Sequence, residues 1–138
     1  MQLVAYLGFK GNCEAAFKYY ERVFGGKIVA MMKHDSLPPE ELAKTPPGWK
    51  DMVLHARLVT GNSVLMGSDA PEGRFEKAQG ISVSVQVDDP KEAERIFAAL
   101  ADNGIVQMPI QKTFWAIRFG MLVDQFGIPW MVNCEQKR

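Results

Sequence analysis

The chain has two histidines, and one of them, His55, sits inside the alternating run "DMVLHARL" from Asp51 to Leu58. In an extended strand, residues two apart share a face, so His55 and Arg57 point the same way. An imidazole exchanges protons near neutral pH and serves as acid, base or orienting group. A guanidinium presents a planar fork that fits a carboxylate or phosphate. Together the two could hold an acidic ligand and move a proton beside it. Plainer readings stand next to this one: His55 as a strand histidine hydrogen-bonded to a neighbour, or as a metal ligand with His34, and Arg57 as half of an ordinary ion pair.

Other groups could join them. Ser82, Ser84 and Gln86 alternate with valines in "ISVSVQV" and offer hydrogen bonds. Trp115 and Phe119 share parity and could form a ring-stacking wall, although large aromatics in small domains more often fill the core. Met31, Met32, Met66, Met108, Met121 and Met131 read as packing residues that would also suit an adaptable apolar cavity. Cys13 and Cys134 lie far apart without a C-x-x-C spacing, so burial as small hydrophobes fits better than a disulfide or zinc clip. "GSDAPEG" lacks the Gly-Lys-Ser/Thr of a phosphate loop.

Composition narrows the partners. Lys plus Arg and Asp plus Glu both number 16 in 138 residues, giving a formal charge of zero. With no block of like charge, nucleic acid and anionic membranes are not expected as partners. No apolar run is long enough to span a bilayer and the start carries no basic leader, so a cytoplasmic protein is expected. The length suits a single domain over residues 1–138.

An internal repeat supplies the elements that must position these groups. "LVAYLGFKGNCEAAFKYYERVFGGKIVAMM" matches "ISVSVQVDDPKEAERIFAALADNGIVQMPI" in pattern: strand, polar turn, helix, glycine, strand. Cys13, Ala16, Phe17, Tyr20 and Phe24 make one apolar helical stripe, and Ala93, Ile96, Phe97 and Leu100 the other. The first helix is predicted to start near Asn12. The second has Asp89 as N-cap, Pro90 at its first position and Glu92 at the capping-box position. Helices are predicted to end at Gly25-Gly26 and Asn103-Gly104. Strands are predicted at Lys27 to Met32, Met52 to Val59 and Ser63 to Met66, then at Ile105 to Ile110, Phe114 to Val123 and Pro129 to Asn133. Each half is thus βαβββ, the first over 1–68 and the second over 79–135. "HDSLPPEELAKTPPGWK" is left as a flap or packing arm, and "GSDAPEGRFEKAQ" as a linker.

Two such modules carrying "AYLGFKGNCEAAFKYYERVFGGK", "HARL", "LMGSD" and "FWAIRFGMLVDQFGIPWMVN" resemble the glyoxalase/bleomycin-resistance (vicinal oxygen chelate) superfamily, and within it the PhnB-like branch. The resemblance covers nearly the whole chain. It implies an α+β fold in which two βαβββ modules form a curved mixed sheet around a cavity, helices on the outer face, and it implies homodimers. With helices on one face, alternation turns Val83, Val85 and Val87 under a helix and Ser82, Ser84 and Gln86 toward the cavity. By the repeat, Ala5, Leu7 and Phe9 go under the first helix and Val4, Tyr6 and Gly8 face the cavity. In "DMVLHARL", Met52, Leu54, Ala56 and Leu58 would form the core face, leaving Val53, His55 and Arg57 inside.

Metal-using relatives take ligands from the first and last strands of each module. Mapped by the repeat, those places fall on Val4, Leu65, Ser82 and Met131, which do not make a normal donor set. No metal or cofactor is therefore expected. Two function classes remain open. One is a protein that binds a small organic anion with a partly apolar body through Tyr6, His55, Arg57, Ser82, Ser84, Gln86, Trp115 and Phe119. The other is a metal-independent lyase-, isomerase- or transferase-type enzyme, or one with an atypical metal, with His55 as its catalytic acid/base. Some branch members carry a demethylubiquinone methyltransferase label, for which the chain shows no Gly-rich loop after a first strand and no acidic ribose-holding residue.

Overall fold

The computed structural model describes residues 1–71 and 73–136. They form two compact units, Met1–Glu76 and Lys77–Arg138, each with the same chain path. In the first unit β1 (Ala5–Phe9), α1 (Cys13–Phe24), β2 (Lys27–Lys33), β3 (Val53–Thr60) and β4 (Ser63–Asp69) build a sheet of order β1-β4-β3-β2, with a short α2 (Pro39–Ala43) in the arm after β2. In the second unit β5 (Val83–Gln86), α3 (Pro90–Ala101), β6 (Ile105–Gln111), β7 (Ala116–Val123) and β8 (Pro129–Glu135) give the order β5-β8-β7-β6. The first strand of each unit runs parallel to the last, and the other neighbours are antiparallel. The first and second strands of each unit run the same way at opposite edges of its sheet, so the chain must cross between them, and the helix makes that crossover.

Each helix buries the stripe read from its spacing. On α1 the buried residues are Cys13, Ala16, Phe17, Tyr20 and Val23; on α3 they are Ala93, Ile96, Phe97 and Leu100. Phe24 packs on Tyr20, with ring centroids 6.3 Å apart, although Val23 takes the buried place at the helix end. A phenylalanine from each helix rests on a sheet glycine. A Cβ on Gly67 would lie 2.8 Å from the Phe17 ring, and one on Gly120 would lie 2.5 Å from Phe97. Helix and sheet approach this closely only because those two positions lack a side chain.

Two buried carboxylates pin the chain. Asp69 accepts from the backbone N–H of Cys13 (3.0 Å) and of Val53 (2.8 Å), tying the end of β4 to the start of α1 and the start of β3. Asp124 accepts from Phe126 and Ile128 N–H (2.9 Å each) and from the Trp130 indole (2.8 Å), shaping the turn before β8. Ionised acceptors make the stronger class of hydrogen bond, and at the N-terminus of α1 the negative charge also meets the positive end of the helix dipole.

Several boundaries differ from the sequence reading. β4 continues through Gly67, Ser68 and Asp69, where a linker was expected, because Asp69 is held by α1 and β3. β7 starts at Ala116 instead of Phe114, since Thr113 and Ala116 close a tight turn: Thr113 N–H donates to the Ala116 carbonyl and Ala116 N–H to the Thr113 hydroxyl, both at 3.0 Å. At α3, Asp89 caps by accepting from Lys91 N–H, while Glu92 pairs with Arg95. At α1, Asn12 makes no side-chain cap; Asp69, distant in sequence but on the strand next to β1, does that work. The segment after β2 is a packing arm with a 3-10 turn at His34–Ser36 and α2, closed by His34 N–H to the Met52 carbonyl and Asp35 N–H to the Lys50 carbonyl, with Trp49 buried.

Both cysteines are buried and free. Burial, followed by the charges of Asp69 and Glu14, pushes the Cys13 thiol up from 9.0 to about 12. It stays protonated and unreactive at neutral pH. Between those values the unfolded chain sheds a proton that the folded chain keeps, so this thiol lowers stability as pH rises through that window.

Asp69→Ala removes two charge-assisted bonds and leaves two buried N–H groups without an acceptor. The expected loss in urea unfolding is about 3 kcal/mol. A loss below about 1 kcal/mol would mean that the carboxylate does not hold α1 and β3 together.

Candidate functional site

With a helix covering one face of each sheet, the opposite faces carry most of the polar and aromatic residues singled out in the sequence. In the first unit, register places Tyr6 beside Met66, Met66 beside Arg57, and Arg57 beside Ala30, so the four form one row across β1-β4-β3-β2. The neighbouring row contains Gly8 beside Ser68, and His55 beside Met32. The Tyr6 hydroxyl lies 3.2 Å from His55 Nδ1, and the two rings stack at 5.9 Å with planes 23° apart. When the phenol donates this bond, Nδ1 is the acceptor and the ring proton resides on Nε2, leaving that N–H for a ligand. Arg57 is half-buried and has no hydrogen-bond or ion-pair partner among the described residues. A Cβ on Gly8 would meet nothing within 4 Å.

One face assignment is corrected. Val53 was expected beside His55 and Arg57, yet it is buried at 1 % exposure. The register explains this: Met32 pairs with His55 and Lys33 with Val53, so Leu54 is an extra residue on β3. A bulge of this kind reverses the alternation. It turns Val53 under α1, where its strand partner Lys33 pairs with Glu14 of that helix at 3.1 Å. Leu54 is only half-buried for the same reason, and Met52 likewise. Ala56 and Leu58 are buried as expected.

In the second unit, one row of the open face is Ser84, Met131, Met121 and Met108; the next is Gln86, Asn133, Phe119 and Gln111. Asn133 Nδ2 donates to Gln86 Oε1 (2.8 Å) and Gln86 Nε2 donates to Ser84 Oγ (2.7 Å). Trp115, just ahead of β7, meets Phe119 edge-on at 5.3 Å and is met in turn by Phe114 at 4.7 Å. Trp115 is 44 % exposed and Phe114 90 %, whereas Trp130 is core. Ser82 precedes β5 and makes no hydrogen bond among the described residues. Asn133 escaped the sequence reading although its parity with Met131 in "PWMVN" was a usable signal, since Trp130, Val132 and Cys134 take the core side.

The donor set for a metal can now be tested. Leu65 is opposite both Ala5 and Leu58 and therefore lies on the helix side; Met66 holds the open-face place equivalent to Met131. His34 lies in the arm with its ring edge-on to Trp49 at 5.4 Å. Among the described residues no three His, Cys, Asp or Glu side chains come together. These residues do not fit a divalent transition metal.

Comparison with known proteins agrees with the architecture. The family model described as 3-demethylubiquinone-9 3-methyltransferase matches residues 1–133. Protein YjdN of Escherichia coli K12 is 32 % identical over 145 residues, spanning 100 % of this chain and 98 % of its own. The crystal structure of PA1353 from Pseudomonas aeruginosa is 48 % identical, covers 99 % of both chains and superposes with a TM-score of 0.90. A PhnB protein from Bacillus cereus is 24 % identical over 97 % of this chain and 99 % of its own, with a TM-score of 0.81. Glyoxalase/bleomycin resistance/dioxygenase and fosfomycin resistance proteins share the fold at lower identity. Among the described residues no helix is long and apolar enough to cross a membrane. Repeated βαβββ units, the matched family model and the similarity to YjdN and PA1353 lead to one conclusion: the chain belongs to the PhnB-like family described as 3-demethylubiquinone-9 3-methyltransferase, with the glyoxalase/bleomycin-resistance fold.

Proposed function

We propose that the protein binds a small organic anion on the open face of its first unit, without a metal. The observation that carries this is Arg57, a half-buried guanidinium with no acidic partner among the described residues. A cation partly withdrawn from water favours a counterion, and a planar fork suits a carboxylate or phosphate bound through two oxygens. Tyr6 in the same row and His55 in the next, locked to each other, stand by as hydrogen-bonding groups, and Met66 and Met32 supply soft apolar contact for the rest of the ligand.

The methyl transfer in the family's description would need a place for a methyl donor. A nucleoside-type donor is commonly held by a Gly-rich loop after the first strand and an acidic residue on its ribose, and the sequence shows neither. Anion binding at Arg57 accounts for the exposed chemistry without such a donor.

A second reading rests on the Tyr6–His55 contact, which orients an imidazole on the strand face it shares with a cation. In this reading His55 is an acid/base and Arg57 stabilises negative charge that develops on the bound substrate.

Five measurements test these readings and the assembly of the chain. A metabolite screen by thermal shift should return organic acids, because a ligand that binds only the folded state raises its stability by mass action. Arg57→Ala should lower affinity for such a hit about tenfold or more, the effect of losing a charge-assisted contact, and Arg57→Lys should recover only part. An unchanged affinity in folded Arg57→Ala moves the site elsewhere. With a hit in hand, His55→Gln should leave binding nearly intact, and loss of turnover in that variant selects the enzyme reading over the binding one. Elemental analysis of untagged protein should find no stoichiometric transition metal; one zinc, nickel, manganese or iron per chain overturns the metal-free assignment. Finally, the sheets end in exposed strands that a second copy could cover, so sedimentation at micromolar concentration should show a homodimer, and a monomer would contradict it.

A further inference from the structure

The open face of the second unit carries a buried polar group that the reading above does not use. Asn133 is 7 % exposed, and its Oδ1 is buried with no hydrogen-bond partner among the described residues. Its other amide atom starts the chain that runs from Asn133 Nδ2 to Gln86 Oε1 and from Gln86 Nε2 to Ser84 Oγ.

The direction of this chain is set by cost. Turning both amides over would keep two hydrogen bonds but leave an Asn133 N–H, instead of an oxygen, buried without a partner. Orphaned donors are rarer in folded proteins than under-satisfied carbonyls. Asn133 therefore donates, Gln86 accepts and donates on, and Ser84 receives. With one lone pair engaged by Gln86, the exposed Ser84 hydroxyl has its proton to offer, and bonds in series polarise one another in the same sense. Beside Ser84 in its row are the thioethers of Met131, Met121 and Met108; beside Gln86 and Asn133 in theirs is Phe119.

We propose that this face is a second subsite, in which Asn133 is a positioning residue that acts through Gln86 to make Ser84 a donor. Its ligand class is a flat apolar or aromatic body bearing an uncharged acceptor oxygen, such as a ketone or ester carbonyl. The body lies over Met131, Met121 and Phe119, and the oxygen meets Ser84. No cation is involved, and the subsite stands apart from the Arg57 reading.

Acetophenone and ethylbenzene differ in that only the former carries an acceptor oxygen, so they are the probes. Titrations up to millimolar concentration are followed on the side-chain amide resonances of Gln86 and Asn133 and on the methionine methyl groups. Both probes should move the methyl signals of Met121 and Met131. Acetophenone should bind about fivefold more tightly, the factor of one net neutral hydrogen bond, and should also move both amide signals. Ser84→Ala should remove this preference while leaving ethylbenzene binding as it was, and Ser84→Thr should keep it. Asn133→Leu, which cannot donate to Gln86, should weaken the preference without abolishing the methyl shifts. If that variant does not fold, Gln86→Leu breaks the same chain at an exposed position and should have the same effect. A preference that survives Ser84→Ala, an equal affinity for the two probes, or no shift at the two methionines with either probe would overturn the subsite. Because both probes are uncharged, none of these results bears on whether Arg57 holds an anion.

Discussion

The carboxylate of Asp69 is the interaction on which the geometry of the first unit depends. One oxygen receives the N–H of Cys13 at the start of α1 and the other the N–H of Val53 at the start of β3. It thus fixes the helix end and strand phase together. With Val53 held on the helix side, the bulge at Leu54 has to follow if Ala56 and Leu58 are also to be buried, and His55 and Arg57 are then delivered to the open face. A buried carboxylate is costly unless its oxygens are satisfied, so the same bonds that place β3 are the ones that make Asp69 tolerable. Asp124 plays the corresponding part in the second unit by organising the turn that feeds β8.

Much of this was legible in the sequence because it depends on local periodicity. The stripes on α1 and α3, the βαβββ succession of elements along each repeat and the core side of "ISVSVQV" all follow from spacing. The buried cysteines follow from the absence of any partner spacing. What was not legible depends on pairings between distant residues. Nothing local to Asn12 reveals that Asp69 will cap its helix, and nothing in "DMVLHARL" reveals that Leu54 will be squeezed out of the ladder. The bulge misplaced Val53 but spared His55 and Arg57, which lie beyond it. Ending β4 at Met66 hid Asp69 within a presumed linker, and reading the last strand without its parity hid Asn133.

Comparison of the two units separates what the fold needs from what a site needs. On the helix side, Phe17 of α1 and Phe97 of α3 each rest on a glycine, one from the first half of its helix and the other from the second. The glycine itself has moved: Gly67 is on the last strand of its unit, and Gly120 is on the strand next to it, opposite Val132. Ala56 is opposite Gly67 in the first unit, so each pair combines one glycine with one small or medium residue. Each unit keeps one glycine under the ring while the strand that supplies it changes, as expected where close packing is the requirement.

The open faces behave differently. Tyr6, Met66, Arg57 and Ala30 stand where the second unit has Ser84, Met131, Met121 and Met108. The methionine on the last strand recurs, but the cation of one row is a thioether in the other. The hydrogen-bonding partners also change, from a Tyr6–His55 pair to the Ser84–Gln86–Asn133 chain. No packing demand explains a half-buried arginine on one sheet and a run of three methionines on the other, since either face could have been filled with aliphatic side chains at less electrostatic cost. The asymmetry lies in chemistry and not in volume. The open face is polar and cationic in the first unit and soft and uncharged in the second.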